Sequence, residues 1–345
     1  MTGSGPPVPA PPWRQGPPPG MAGPPANGAS GAPPPRRSDI PVPLSLRWAN
    51  PAQLTPAHPL RPRWSIIDVV LAAVAFLVVP LIIGLALQLT LGPSVFSGGP
   101  GVFVSLLLTW AVLLGACLIS SRTRGFGSLA RDFGLRFRWM DVLTGLIASI
   151  GLRLLTAVVA VIVVLLTGAN QPLQSNGDIF LAGSSTFWLI INAGIGATLI
   201  SPLLEELFFR GLLLRAVQNQ VWLGRWRRQP APAGAATAPG PAGPPPAPGI
   251  RPERVRPATV KRPLVRASVV AALISAVVFG SAHLGQLDDP RSVLIQLVSV
   301  FCIGLVNAGL TLWFGRLGPA VLTHVWFNGT SILLALLLQG VGLAG

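Results

Sequence analysis

Residues 186–218 read TFWLIINAGIGATLISPLLEELFFRGLLLRAVQ. A membrane helix needs about 20 mainly apolar residues. At about 33 residues this stretch is too long for one simple crossing. It also contains Pro202, which lacks a backbone donor and is expected to kink or divide it. Six further apolar runs, near 65–91, 102–120, 142–167, 264–284, 292–314 and 318–339, meet the same length criterion or approach it. The expected fold is therefore all-α, a polytopic helical membrane bundle of about seven to eight transmembrane helices.

Composition supports that reading. The chain has 345 residues, 51% hydrophobic and only 10% charged, against roughly a quarter charged in a soluble domain. Its formal net charge is +15, from 25 basic and 10 acidic residues. A DNA-binding domain would place such charge on a folded polar surface, and this chain has little of one, so nucleic acid is excluded as a partner. Cys117 and Cys302 lie in apolar runs, and no disulfide framework follows.

Prolines divide the chain. Nineteen of 37 fall in residues 1–63 and eleven in 229–263. Both stretches lack hydrophobic periodicity and are expected to be disordered or extended. The organisation is then a Pro/Gly-rich cytoplasmic tail over 1–63 and a membrane domain over 64–340, interrupted by a basic Pro-rich cytoplasmic loop at 221–263. The tail is not a secretory signal, because the first apolar run begins only after about sixty residues.

Arginine and lysine favour the cytoplasmic side. Six basic residues precede the first run, five lie between Arg122 and Arg138, and nine between Arg225 and Arg266. The intervening connections 92–101 and 339–345 carry no charge, and 168–185 carries only Asp178. The alternation fits seven crossings with the N-terminus in the cytoplasm. Most of the +15 then records topology, with some attraction to anionic lipid.

Charged groups at a helix centre cost about 2.5–3.5 kcal/mol each on insertion scales. Of three Glu, two are adjacent within the membrane, in Ser201-Pro202-Leu203-Leu204-Glu205-Glu206-Leu207-Phe208-Phe209-Arg210-Gly211. Of three His, two, His283 and His324, lie in apolar runs. Glu206 and Arg210 are four apart and share a helix face, so they can pair. Glu205 is rotated about 100° away and is freer to act on a water. Adjacent carboxylates in a low dielectric should also split their pKa values, which suits acid–base work. Phe279 and His283 repeat the four-residue spacing, as do His324 and Asn328. Each cluster alone is more often an interhelical hydrogen bond or a structural ion pair than a catalyst. All three together are far more specific.

Glu205-Glu206-x-x-x-Arg210, Phe279-x-x-x-His283 and His324-x-x-x-Asn328 resemble the three motifs of the CPBP intramembrane proteases. That family includes type II CAAX prenyl endopeptidases and bacteriocin-processing or immunity proteins. The resemblance spans about residues 64–340, with Gly134-Leu135 resembling the family's lead-in. It implies a glutamate-dependent intramembrane endopeptidase. In that scheme Glu205 activates the hydrolytic water, His283 and His324 flank it, and Asn328 sits at the oxyanion position. Glu206, Arg210 and Phe279 support them.

Peptide hydrolysis needs an activated water, a stabilised oxyanion and a proton for the departing amine, and this set can supply all three. The expected cofactor is none. Two His and a Glu could hold zinc, but no His-Glu-x-x-His occurs and the resemblance points to metal-free chemistry. Competing readings are a non-catalytic immunity or scaffold protein and a proton-coupled transporter, although no internal repeat is evident. The expected partners are a peptide or membrane-protein substrate and membrane lipid, in a bacterial plasma membrane. On these limits Glu205 falls in the inner half of its run and His283 near the outer end of its own. Joining them requires a break at Pro202 or shorter segment limits.

Overall fold

The computed structural model describes residues 64–168, 173–174, 177–181, 185–226 and 257–340. The Pro-rich tail over 1–63 and most of the expected loop lie outside the described residues. All regular structure among the described residues is helical. The long elements are α1 (Ile66–Leu91), α2 (Gly98–Arg124) and, after the short α3 (Leu129–Asp132), α4 (Met140–Thr167). A single turn, α5 (Asp178–Leu181), precedes a composite helix from Thr186 to Trp226. Three more follow: α9 (Pro257–Ser281), α10 (Pro290–Phe314) and α11 (Gly318–Gly340). The composite helix consists of α6 (Thr186–Leu189), a π-helical winding π1 (Ile190–Ile200), α7 (Ser201–Glu206), a second winding π2 (Leu207–Leu213) and α8 (Leu214–Trp226).

Every apolar run of the sequence thus corresponds to a helix. Among the described residues six helices are long and apolar enough to cross a membrane, and Val265–Ser281 of α9 forms a shorter apolar helix. Leu77, Leu89, Leu165 and Leu166 are 70–80% exposed on their outer faces. Water would not tolerate such a belt, whereas lipid acyl chains match it. The protein is an integral membrane protein.

Pro202 does not divide its helix. The chain stays wound, and the register changes from π to α beside the proline. Changes of this kind are frequent at functional sites. At this connection the limits move outward, not inward as shorter segments would require: α8 runs on to Trp226, and α9 starts at Pro257. Phe209 lies 17 residues before Trp226, and Ser275 lies 18 after Pro257. They therefore meet at one depth, where the Ser275 hydroxyl donates to the Phe209 carbonyl at 2.9 Å. That correspondence, not a break, brings the expected site residues together.

The arginine-rich end of the bundle is tied by buried acids. Asp132 accepts from the Ser121 hydroxyl (2.5 Å) and from the Phe126 and Ser128 amides (2.7 and 3.2 Å). Asp141 accepts from the Arg138 amide at 2.8 Å and pairs with Arg316. Gly134, at φ +69°, turns its carbonyl toward the Leu317 amide (2.8 Å) and so anchors the start of α11. At the opposite end Asp289 caps α10 by accepting from the Ser292 hydroxyl and amide (2.6 and 2.9 Å), which holds its carboxyl below the usual carboxylate range.

α4 packs chiefly on α11, and Gly145 sets that contact. A Cβ there would lie 2.6 Å from the Leu322 carbonyl carbon and 2.7 Å from the Thr323 amide nitrogen. Backbone cannot yield as a side chain does. Gly145→Leu is expected to destabilise by about 1–3 kcal/mol or more, read as a lowered thermal midpoint in detergent. An unchanged midpoint would contradict the packing described here.

Candidate active site

Glu206 is the hub. Its side chain is fully buried, and its Oε1 accepts three hydrogen bonds from three helices. Arg210 Nη1 donates at 3.1 Å, Asn307 Nδ2 at 2.9 Å and His324 Nδ1 at 3.0 Å. Arg210, itself fully buried, sets its guanidinium 4.3 Å from the Phe279 ring centroid. An unpaired ion at this depth would be very unfavourable, and the carboxylate–guanidinium pair with its added donor is what permits burial. The four-residue spacing of the sequence is realised as an ion pair.

The carboxylate accepts, so His324 carries its proton on Nδ1. Its Nε2 consequently turns toward Glu205, 3.8 Å from Oε2 and outside direct hydrogen-bond range. One imidazole therefore stands between the two adjacent carboxylates. Their environments differ sharply: the Glu205 side chain is 20% exposed, while Glu206 is closed off.

Phe279 joins the remaining histidine to this centre. Its ring lies edge-on to His324, with centroids 5.7 Å apart, and against His283 at 4.8 Å. His283 is not on the helix with Phe279 as the spacing implied. α9 ends at Ser281, and His283 occupies the turn that follows. Its Nδ1 nevertheless returns to the Phe279 carbonyl at 2.9 Å. A carbonyl only accepts, so Nδ1 is the donor and Nε2 keeps its lone pair.

Asn328 is held by an unexpected partner. Its Nδ2 donates to the Ala197 carbonyl at 2.9 Å. In a π winding the carbonyl of residue i accepts from the amide of residue i+5, as the Ser201 amide does to Gly196. The matching donor for Ala197 would be residue 202, a proline with no N–H. The carboxamide thus fills the bond that Pro202 cannot make, and its second N–H remains. Nearby, Trp110 Nε1 donates to the Ser201 hydroxyl at 2.9 Å, which fixes this turn against α2.

The structure thus brings Glu206, Arg210, His324 and Phe279 into direct contact, with Glu205 and His283 alongside. Asn328 is one turn along α11 from His324. Sequence reasoning missed Asn307. The available signal was a carboxamide in the otherwise apolar run 292–314. Asn307→Leu removes a donor to a buried charge and is expected to lower stability by about 1.5–3 kcal/mol. A double-mutant cycle with Glu206→Gln should show coupling between the two positions, and strict additivity would contradict their bond. Among the described residues, no three His, Cys, Asp or Glu side chains group at metal-ligand spacing.

Residues 254–330 match the family model described as type II CAAX prenyl endopeptidase Rce1-like. That stretch contains Phe279, His283, Asn307, His324 and Asn328. Over those residues the chain is similar to the CPBP/CAAX protease family. The glutamate pair lies outside the matched residues, and its place beside His324 comes from the geometry above. No curated protein and no solved structure matches the chain. The chain places its three motifs around one buried carboxylate, Glu206.

Proposed function

We propose that this CAAX-protease relative is a glutamate-dependent endopeptidase that hydrolyses a peptide bond of a membrane-associated protein or peptide. The observation that carries the proposal is the division of labour between adjacent carboxylates. Glu206 has one oxygen taken by three donors and no exposure, whereas Glu205 is partly open, with His324 Nε2 at 3.8 Å. A carboxylate in the first setting positions other groups, and one in the second can exchange protons.

In the proposed reaction Glu205 takes a proton from water, and the resulting hydroxide attacks the scissile carbonyl carbon. Negative charge gathers on the carbonyl oxygen, where the second N–H of Asn328 supplies a donor. Glu205 then returns the proton to the nitrogen as the C–N bond breaks. Glu206 fixes the ring of His324, and Nε2 of His283 is available to orient the water. Cleavage of membrane peptides by native protein and by Glu205→Gln tests this reading.

The reaction as written uses no metal. Prolonged chelation of the purified protein is expected to leave cleavage unchanged. A loss that zinc restores would overturn this part. The arginine-rich bundle end, with exposed Arg122, Arg136 and Arg138, supports a cytoplasmic N-terminus.

A further inference from the structure

Arg153 is an intramembrane cation outside the centre described above. It is the fourteenth residue of the 28-residue α4, so either helix end is about 20 Å away. The side chain is half-buried and is directed at α11. Its Nε donates to the Thr330 hydroxyl at 3.2 Å, and its Nη2 to the Phe327 carbonyl and the Ser331 hydroxyl. The guanidinium carbon lies 3.7 Å from the Phe327 ring centroid. All of these partners are neutral.

Among the described residues no carboxylate pairs with Arg153, unlike Arg210, Arg316 and Arg124, which all have one. An arginine stays protonated and carries five N–H donors. Three are engaged here, and the two on Nη1 have no partner among the described residues. A mid-membrane charge of this kind marks a substrate path more readily than a helix contact, for which a neutral donor suffices. The bonds to α11 fix the guanidinium plane, so the two Nη1 donors are presented in one direction to an acceptor such as a carboxylate.

The missing anion is not a lipid headgroup. The hydrocarbon core is about 30 Å thick, so phosphates stay about 15 Å from this depth. A peptide within the site can carry a carboxylate that far. The carbonyl that Arg153 holds belongs to Phe327, the residue before Asn328, so the guanidinium and the proposed oxyanion donor are set by consecutive residues of one helix.

We propose that Arg153 binds a carboxylate of the peptide substrate, either a chain terminus or an Asp or Glu side chain, within a few residues of the bond cut. The proposal rests on the endopeptidase reading and names the substrate class of that site.

The test uses the full chain in neutral-lipid nanodiscs and fluorescein-labelled apolar heptapeptides, read by anisotropy. One peptide ends in a free carboxylate, a second in an amide, and a third is an amide with one internal Asp. Native protein is expected to bind at least one carboxylate peptide about tenfold or more tighter than the plain amide. Whichever peptide shows the preference identifies the source of the carboxylate. The acid-to-amide ratio should collapse toward one in Arg153→Gln and be intermediate in Arg153→Lys, which keeps the charge without the fixed planar donors. Each ratio is taken within one variant, so a general loss of stability does not mimic the effect, and the lysine variant carries the test if the glutamine one does not fold. No preference in native protein, or an undiminished one in Arg153→Gln, overturns the proposal. Cleavage without carboxylate preference overturns it alone, whereas preferential binding without cleavage overturns only the endopeptidase reading.

Discussion

Glu205→Gln is expected to reduce peptide cleavage by on the order of 10²–10⁴-fold, the usual contribution of a general acid–base group, while leaving the folded protein nearly as stable. Both halves follow from the surroundings. The side chain is 20% exposed, and its ion-pair partner among the described residues is His324 at 3.8 Å, beyond hydrogen-bond range. An amide of the same size therefore strands no buried partner. It cannot, however, accept and return a proton. Measurement of cleavage alongside the thermal midpoint separates the two effects. Retention of more than about a tenth of the native rate would sink the assigned role. A cellular phenotype that survives the substitution would favour the non-catalytic reading of the family.

Arg210→Leu is expected to behave in the opposite way, with a large stability loss of about 3–5 kcal/mol. Glu206 would remain fully buried with its charge uncompensated by any cation other than a protonated His324. The substitution also removes the guanidinium from the Phe279 ring, against which both histidines pack. Activity should fall as well, through loss of order instead of loss of the proton carrier. The double variant Glu206→Leu/Arg210→Leu should be more stable than Arg210→Leu alone, because removing both charges ends the imbalance. Chemical unfolding in detergent micelles measures this, and a double variant no better than the single one would contradict a dominant role for buried charge.

Much of this arrangement was legible because membrane sequences place polar groups sparingly. The Glu206–Arg210 pair follows from spacing alone, and two of three His in apolar runs marked the other contributors. The local rule that makes Pro202 kink or divide its helix considers only the lost donor and the steric clash. The π winding accommodates both, and its missing bond is supplied from α11, 131 positions away in sequence. Distance of that kind is invisible to local patterning. Helix limits failed for a related reason: arginines and prolines around 221–263 lower hydropathy, yet the helices continue to Trp226 and resume at Pro257. The depth mismatch between Glu205 and His283 arose from those limits. Asn307 carried a signal, a lone carboxamide in an apolar run, but only the fold shows that it points at Glu206.

The bond between Asn328 and Ala197 has a consequence for handedness of the carboxamide. An Asn side chain can ordinarily rotate by half a turn and exchange its oxygen for its nitrogen with little change in shape. Here the carbonyl left by Pro202 accepts only from nitrogen, and a rotated amide would set two oxygens face to face. The plug fits its socket one way round. Any other residue at position 202 would restore an amide proton, offer Ala197 a rival partner, and free Asn328 to turn.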